Sequence, residues 1–244
     1  MSTKIFAHRG YSSKYPENTM PAFLAAYKCG AHGIELDVQL SQDGVPVIIH
    51  DEAVNRTTNS KGLVKELTAS YLTKLNAGKR FKWLSRKATI PTLEEVLDWM
   101  SKTNLILNIE LKNSVFPYKG MEEIVIKMVH DYHLASRTVY SSFNHDSLFK
   151  IHKIDSAAET APLYKKSIPV PWEYAKSIHA SAIHPHYRNV TKELIETTQQ
   201  HQIQVRAYTV NQTKLINRLI SWKINGIITD DPKQALACLE AFKK

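Results

Sequence analysis

Apolar and acidic side chains alternate in Gly33-Ile34-Glu35-Leu36-Asp37-Val38. Successive side chains of a β-strand point to opposite faces, so the apolar residues share one face and Glu35 and Asp37 share the other. A strand that is buried on both faces is normally filled with Val, Ile and Leu, and an ionised carboxylate there needs a partner. The segment therefore predicts a buried strand whose acidic face serves a site.

Similar apolar segments recur along the chain and alternate with amphipathic stretches. The predicted strands cover residues 4–9, 33–40, 104–112, 137–143, 158–164, 180–186, 204–210 and 226–230. The predicted helices cover residues 19–29, 92–101, 119–133, 145–153, 171–178, 191–201, 212–222 and 232–242. This alternation favours an α/β fold, a TIM (β/α)8 barrel, over an open sheet. We expect residues 1–244 to form a single barrel domain.

One part of the chain departs from this alternation. A second apolar run at residues 45–50 follows the 33–40 strand across Asp43-Gly44, which predicts a hairpin that brings Asp37 opposite His50. Residues 51–91 are polar and irregular, and they predict a small insertion after the second strand. Insertions at the carboxyl ends of barrel strands shape binding sites, so we expect this one to border the site.

Polar side chains also mark the carboxyl ends of two other predicted strands. The segment at 104–112 presents Glu110 and Lys112 on one face, and the first strand ends in His8 and Arg9. The hairpin adds His50 to the same group. Barrel enzymes carry their active sites at this face, so these residues are candidates for one site.

Three of the candidate residues are carboxylates that would repel one another in a shared cavity. The simplest relief for Glu35, Asp37 and Glu110 is one divalent cation that prefers oxygen ligands, Mg²⁺ or Ca²⁺. With a charge of −3 from the carboxylates, +2 from the cation and +2 from Arg9 and Lys112, the site carries +1. One phosphodiester monoanion makes it neutral, and Arg and Lys side chains suit a phosphate group.

His8 and His50 supply side chains that titrate near neutral pH. Cleavage of a phosphodiester needs one group that takes a proton from the nucleophile and one that gives a proton to the leaving alkoxide. The residues alone leave open which histidine is the base. They also leave open whether water attacks directly or a substrate hydroxyl first forms a cyclic phosphate.

The chain resembles the glycerophosphodiester phosphodiesterases from end to end. The matching motifs are His8-Arg9-Gly10, Pro16-Glu17-Asn18-Thr19, Glu35-Leu36-Asp37-Val38-Gln39-Leu40, Asp43-Gly44, His50-Asp51, Thr57-Thr58, Ile90-Pro91-Thr92-Leu93, Asn108-Ile109-Glu110-Leu111-Lys112, Ser142-Phe143 and Ile228-Thr229-Asp230-Asp231-Pro232. The resemblance implies a TIM barrel with a small insertion after the second strand. It also implies hydrolysis of small-molecule glycerophosphodiesters to sn-glycerol 3-phosphate and an alcohol.

The resemblance implies roles for individual residues. The implied positions are Glu35, Asp37 and Glu110 for the metal, His8 and His50 for proton transfer, Arg9 and Lys112 for the phosphate, and Glu17 as an additional site acid. Where the family typically has a tryptophan before Thr-Val-Asn, this chain has Tyr208. Tyr208 and Phe143 are candidates for an apolar wall against the glycerol carbons, although ordinary barrel packing explains either residue as well.

Composition limits the other possibilities. The chain has 32 Lys and Arg against 23 Asp and Glu, a net charge of +9 that favours anionic partners. Two cysteines without a bridging pattern, no signal peptide and no long apolar run predict a cytoplasmic protein without stable membrane insertion. The oligomeric state is left open.

Three other functions compete with hydrolysis of soluble diesters. The basic, aromatic stretch at 79–87 would suit a phospholipase that acts on lysophospholipids or another lipid phosphodiester at an anionic interface. A nucleic-acid-binding protein is suggested by the net charge alone, but the basic residues are dispersed and no nucleic-acid-binding motif is present. A barrel that only binds phosphoesters is disfavoured because all five presumed metal and histidine positions are present.

Overall fold

The protein is a closed barrel of parallel strands. The computed structural model describes residues 3–79, 81 and 88–242. The described strands are β1 (Lys4–His8), β2 (Gly33–Leu40), β3 (Pro46–Ile48), β4 (Ile106–Leu111), β5 (Thr138–Ser142), β6 (Glu159–Tyr164), β7 (Ala182–Pro185), β8 (Gln204–Ala207) and β9 (Gly226–Thr229). All except β3 pair in parallel, and β1 pairs with both β2 and β9, which closes the sheet. The TIM barrel prediction is confirmed.

Helices cover the outside of the barrel. Those described are α1 (Met20–Lys28), α2 (Ala69–Leu72), α3 (Leu93–Ser101), α4 (Met121–Asp131), α5 (His145–Ile154), α6 (Pro171–Ser177), α7 (Lys192–Gln200), α8 (Thr213–Ser221) and α9 (Pro232–Ala241). Thr92 Oγ1 accepts a hydrogen bond from Glu95 N at the start of α3, and Pro232 opens α9, where no intrahelical N–H is needed. Among the described residues, no helix is both long and apolar enough to cross a bilayer.

The two faces of β2 have the environments that its sequence predicts. Ile34, Leu36 and Val38 are fully buried in the apolar layer between the strands and the helices. Glu35 and Asp37 alternate with them and are also buried. Because every barrel strand has an inner and an outer face, this alternation places both carboxylates inside the barrel.

The hairpin between β2 and β3 has a different register from the predicted one. Val38 pairs with Ile48, and Ile49 N donates to Asp37 O, so Asp37 lies beside Ile49 and not opposite His50. The reason is a three-residue loop, residues 42–44, in place of a two-residue turn. Ser41 closes this loop through its backbone and its side chain, and Gly44 adopts a left-handed φ of 76°.

The insertion is more ordered than its polar composition suggests. Residues 51–79 contain α2 and a short 3₁₀ turn, Val64–Glu66. Their apolar side chains pack with β3 in a small separate core that consists mainly of Val47, Ile49, Val54, Val64, Leu72, Leu75 and Ile90. Most of the basic, aromatic stretch at 79–87, including Trp83, lies outside the described residues.

Candidate active site

Three carboxylates from β2 and β4 meet inside the barrel. Asp37 and Glu110 are direct neighbours in the parallel register of these strands, and Glu35 lies two residues earlier on the same face of β2. Each residue offers one oxygen atom, and these three atoms lie within 4.8 Å of one another. All three residues are buried. The convergence that the sequence predicts is therefore present.

The protonation of these carboxylates is strongly perturbed. Burial raises the pKa of Glu35 well above its ordinary value, and the negative charges of Asp37 and Glu110 raise it further. Burial, followed by the charge of Asp37, also raises the pKa of Glu110. Burial acts in the same direction on Asp37, but the Arg9 guanidinium and other nearby cations outweigh it and lower the pKa of Asp37 to about 2. Without another cation, the cluster therefore favours keeping a proton on Glu35.

Arg9 and Lys112 are the cations closest to these carboxylates. Arg9 Nε lies 3.2 Å from Asp37 Oδ2, and the Arg9 backbone N–H donates to Glu35 Oε2 at 2.9 Å. Lys112 Nζ donates to Glu110 Oε1 at 2.7 Å and lies 3.8 Å from Asp37 Oδ1. Burial lowers the pKa of Lys112, but Glu110 and Asp37 outweigh it and raise the pKa overall. Both side chains are therefore cationic at neutral pH.

The turn after β1 fixes the position of Arg9. Arg9 and Gly10 both adopt left-handed backbone conformations, with φ of 55° and 78°. At Gly10 a Cβ atom would lie 2.7 Å from Ala22, so this position requires glycine for space as well as for conformation. The Asn18 backbone N–H donates to Arg9 O at 3.0 Å. The turn thus directs one backbone N–H and one guanidinium toward the acidic cluster.

His8 is held by a carboxylate from the opposite end of the chain. His8 Nδ1 lies 2.6 Å from Asp230 Oδ1. Asp230 also accepts hydrogen bonds from Ser12 Oγ at 3.2 Å and from Asn211 Nδ2 at 2.6 Å. Burial disfavours ionised Asp230, but these hydrogen bonds, with that of His8 the largest, lower its pKa. An ionised carboxylate only accepts, so Nδ1 of His8 carries a proton and Nε2 is the acceptor of the neutral ring.

His50 is held in the same way by its neighbour in the sequence. His50 Nδ1 lies 2.7 Å from Asp51 Oδ1. Burial disfavours ionised Asp51, but hydrogen bonds from Arg56 and His50 outweigh it and lower the pKa of Asp51 to about 2. Nδ1 of His50 therefore also carries a proton, and Nε2 is the acceptor of the neutral ring.

Arg56, from the insertion, contacts both the carboxylate that holds His50 and the carboxylate that holds Arg9. It donates to both oxygens of Asp51 at 2.5 and 3.1 Å, and to both oxygens of Glu17 at 2.7 Å. Glu17 Oε1 also accepts from Arg9 NH1 at 2.8 Å. Burial raises the pKa of Glu17, but Arg56 and Arg9 outweigh it and lower the pKa overall. Both oxygens of Glu17 therefore contact guanidinium groups.

The acidic cluster fits a hard divalent cation. Its ligand atoms are all carboxylate oxygens, the type that Mg²⁺ and Ca²⁺ prefer. Asp37 Oδ2 accepts from Asn18 Nδ2 at 2.8 Å, whereas the buried Asp37 Oδ1 accepts no hydrogen bond from any described residue. A buried carboxylate oxygen without a hydrogen bond is unfavourable, and a cation bound by Glu35, Asp37 and Glu110 would relieve that cost.

Two aromatic side chains and a groove border the cluster. The rings of Phe143 and Tyr208 pack edge to face with centroids 6.1 Å apart, and Tyr208 OH donates to Tyr164 O. Tyr208 also lines a small cavity together with Glu35 and Glu110. A groove of about 430 Å³ extends from His8 and Arg9 to residues 211, 230, 231 and 234. Tyr208 therefore borders the cluster, and a polar groove begins at His8 and Arg9.

Comparison with known proteins identifies the family. The model of the glycerophosphoryl diester phosphodiesterase family matches residues 8–234. This chain belongs to the glycerophosphoryl diester phosphodiesterase family. It is thus an enzyme, a phosphoric diester hydrolase, as its sequence predicts.

Members of this family resemble the chain over almost its whole length. A glycerophosphodiester phosphodiesterase of Bacillus altitudinis is 43% identical over 244 residues, which cover 99% of this chain and 100% of the relative. One from Caldanaerobacter subterraneus is 41% identical over 233 residues, 96% of each chain. A phosphodiesterase of Oleispira antarctica, solved with its product sn-glycerol 3-phosphate, superposes with a TM-score of 0.87 at 26% identity, covering 98% of this chain and 97% of the other.

Several side-chain contacts in the site were not predicted from the sequence. Asp51, Arg56 and Asp230 all lie in or beside motifs that identify the family, but their partners are apparent only in the fold. Asn18 and Asn211 likewise hold Asp37 and Asp230. One signal was available, because Asp51 directly follows His50 and Asp230 directly follows the last strand. Acidic residues at those positions face the same end of the barrel as the histidines.

Proposed function

We propose that the chain hydrolyses glycerophosphodiesters to sn-glycerol 3-phosphate and an alcohol, with one divalent cation bound by Glu35, Asp37 and Glu110. His8 and His50 act as the general acid and base. The observation that carries this proposal is the convergence of three buried carboxylates with two cationic side chains, Arg9 and Lys112, at the mouth of the barrel. Family membership supports the reaction class.

The charge of the site supports a phosphodiester as its ligand. With the three carboxylates ionised, Arg9 and Lys112 leave the cluster at −1. A divalent cation makes it +1, and one phosphodiester monoanion brings it to zero. When bound, the cation polarises a phosphoryl oxygen and stabilises the negative charge that develops on it. The bound cation thus gives the site a net charge that attracts the substrate anion.

Arg9 and Lys112 bind and orient the phosphate. Both are anchored by carboxylates and are cationic at neutral pH. A guanidinium presents two parallel N–H groups to phosphate oxygens, whereas an ammonium acts as a compact charge. Glu17 holds the Arg9 guanidinium in place. A phosphate held between the two side chains keeps one orientation while the bond to the leaving oxygen breaks.

His8 and His50 move the protons at their Nε2 atoms. Because each Nδ1 faces an aspartate, the neutral rings present an acceptor at Nε2 and the cationic rings present a donor there. One ring takes a proton from the attacking nucleophile, water or a substrate hydroxyl, and the other gives a proton to the departing alkoxide. The two aspartates stabilise the cationic rings and fix their orientation.

The surroundings of the cluster offer space for both halves of the substrate. Phe143 and Tyr208 provide an apolar wall for the glycerol carbons. The groove beside His8 is open and polar, which suits an alcohol headgroup. The glycerol 3-phosphate bound by the structurally similar Oleispira antarctica phosphodiesterase supports this substrate class. These features favour small diesters that fit between the apolar wall and the polar groove.

Replacement of each histidine tests this proposal. We expect His8→Ala and His50→Ala to fold normally but to hydrolyse glycerophosphocholine and glycerophosphoethanolamine at least about 100-fold more slowly, since general acid–base catalysis contributes roughly that much or more. His130→Ala, on the exposed face of α4, is the matched control and retains full activity. Release of sn-glycerol 3-phosphate identifies the reaction. Near-normal rates in both active-site variants would remove the histidines from the mechanism.

A further inference from the structure

A buried amide lies directly beside the acidic cluster. Asn108 stands on the same face of β4 as Glu110, two residues earlier, and its neighbour in the parallel register is Glu35. The residue is only 2% exposed. Asn108, Glu35 and Glu110 line one small cavity inside the barrel mouth. The amide therefore faces the same space as two of the three carboxylates.

The oxygen of this amide has no partner in the part of the chain that the structure describes. Asn108 Oδ1 is buried and accepts no hydrogen bond. Leaving a buried acceptor unpaired costs about 1–3 kcal/mol. In the cation-bound site Glu35 and Glu110 are both ionised, so there they are acceptors themselves and cannot satisfy it. A positively charged group in the cavity can.

We propose that Asn108 Oδ1 is a fourth protein oxygen ligand of the divalent cation. This inference rests on the proposed function, because it concerns the same cation. Mg²⁺ and Ca²⁺ bind six or more oxygen atoms, and Asn side-chain carbonyls are among their usual ligands. A neutral amide adds an oxygen without adding charge, so it preserves the neutral sum of carboxylates, cation, Arg9, Lys112 and phosphodiester.

Two variants separate this role from packing. Asn108→Leu replaces the amide oxygen and nitrogen with methyl groups on a side chain of the same branching, whereas Asn108→Asp keeps an oxygen at the same position. Thr160→Val is the matched control. Thr160 is also fully buried, and its hydroxyl oxygen has no hydrogen-bond partner among the described residues. It does not line the cavity, to which its strand β6 contributes Leu163. If Asn108→Leu fails to fold, Asn108→Ala removes the same oxygen with a smaller side chain.

The experiment is a calorimetric titration of the demetallated full-length chain with Mg²⁺ and, separately, with Ca²⁺. We expect Asn108→Leu to weaken the cation Kd at least about tenfold, the lower bound for losing even an outer contact of a metal site. Asn108→Asp binds within about threefold of the original chain, or more tightly, and Thr160→Val binds within about twofold. The rise in Tm on adding the cation follows the same order.

The outcomes distinguish this inference from the proposed function. A folded Asn108→Leu variant that binds the cation with unchanged Kd overturns the inference and leaves the proposed function standing. A buried water between Asn108 and the unpaired Ser141 hydroxyl would give that result, since it involves no metal. An original chain that binds neither cation overturns the proposed function, and the inference with it.

Discussion

Replacing Arg56 with methionine removes the contacts that hold in place the residues next to both His50 and Arg9. Arg56 makes four hydrogen bonds to Asp51 and Glu17, and these carboxylates hold His50 and Arg9. A displacement of about 1 Å in a catalytic group lowers the rate about 100-fold, equivalent to about 2.7 kcal/mol, so we expect kcat/KM for glycerophosphocholine to fall by about that factor. We expect kcat to fall and KM to rise together.

The cost in stability is smaller than the cost in activity. The Arg56 side chain is 32% exposed, so solvent screening reduces the value of its ion pairs. We expect the free energy of unfolding to fall by about 1–2 kcal/mol, which lowers Tm by roughly 2–8 °C for a chain of this length. Circular dichroism measures the Tm, and steady-state assays give kcat and KM.

Three comparisons test whether the geometry of Arg56 matters beyond its charge. Arg56→Lys keeps the charge but cannot form the two bidentate contacts, so it recovers only a small part of the activity. Combining Glu17→Gln with Arg56→Met lowers kcat/KM by less than the product of the two single effects, because both changes break the same contact, the one between Arg56 and Glu17. Lys61→Gln removes a positive charge from an exposed position in the insertion and retains full activity. Full activity in Arg56→Lys would refute the reasoning.

Asp230→Asn leaves the His8 ring without its fixed tautomer, so kcat falls about 100-fold or more with little change in KM. Asp131→Asn, at an exposed carboxylate of α4, retains full activity, and kinetics as a function of pH check both variants. Asp51 has its pKa lowered to about 2 in the folded chain, so its stabilising contribution is complete above about pH 4 and is lost as the pH falls toward 2. Urea unfolding across that range therefore shows a weaker acid dependence in Asp51→Asn. Tyr208→Ala removes most of the apolar wall beside Phe143 and raises KM about tenfold, whereas Tyr208→Phe changes KM less than about threefold in the same assays.

The alternation of apolar and polar residues was enough to predict the barrel and the acidic cluster. Asp37 and Glu110 pair in the carboxyl-terminal part of the β2–β4 ladder, and Glu35 lies two residues before Asp37 on the same face. The barrel brings these positions together whatever the details of the loops. The left-handed turn at Gly10 and the closure of β1 onto β9 add His8 and Arg9 at the same end. The acidic cluster was predictable from the alternation of residues because a strand fixes the face to which each side chain points.

Contacts that depend on loops were not predictable in the same way. The hairpin register was wrong by one residue because the Ser41 side chain stabilises a three-residue loop, which the Asp43-Gly44 pair alone does not reveal. The His8–Asp230 contact joins residues 222 positions apart, and it depends on the closure of the barrel. The insertion appeared irregular because its small core uses isolated apolar residues without helical or strand periodicity.

The most direct test of the central claim is to count the cations that the chain binds while activity is restored. Demetallated protein is titrated with Mg²⁺ and Ca²⁺, and hydrolysis of glycerophosphocholine is measured at each step. We predict one cation per chain, with activity returning in proportion to its occupancy, and loss of both in Asp37→Asn, which alters the carboxylate at the centre of the cluster. Full activity in protein shown to contain no divalent metal, or unchanged cation binding in folded Asp37→Asn, would contradict the account.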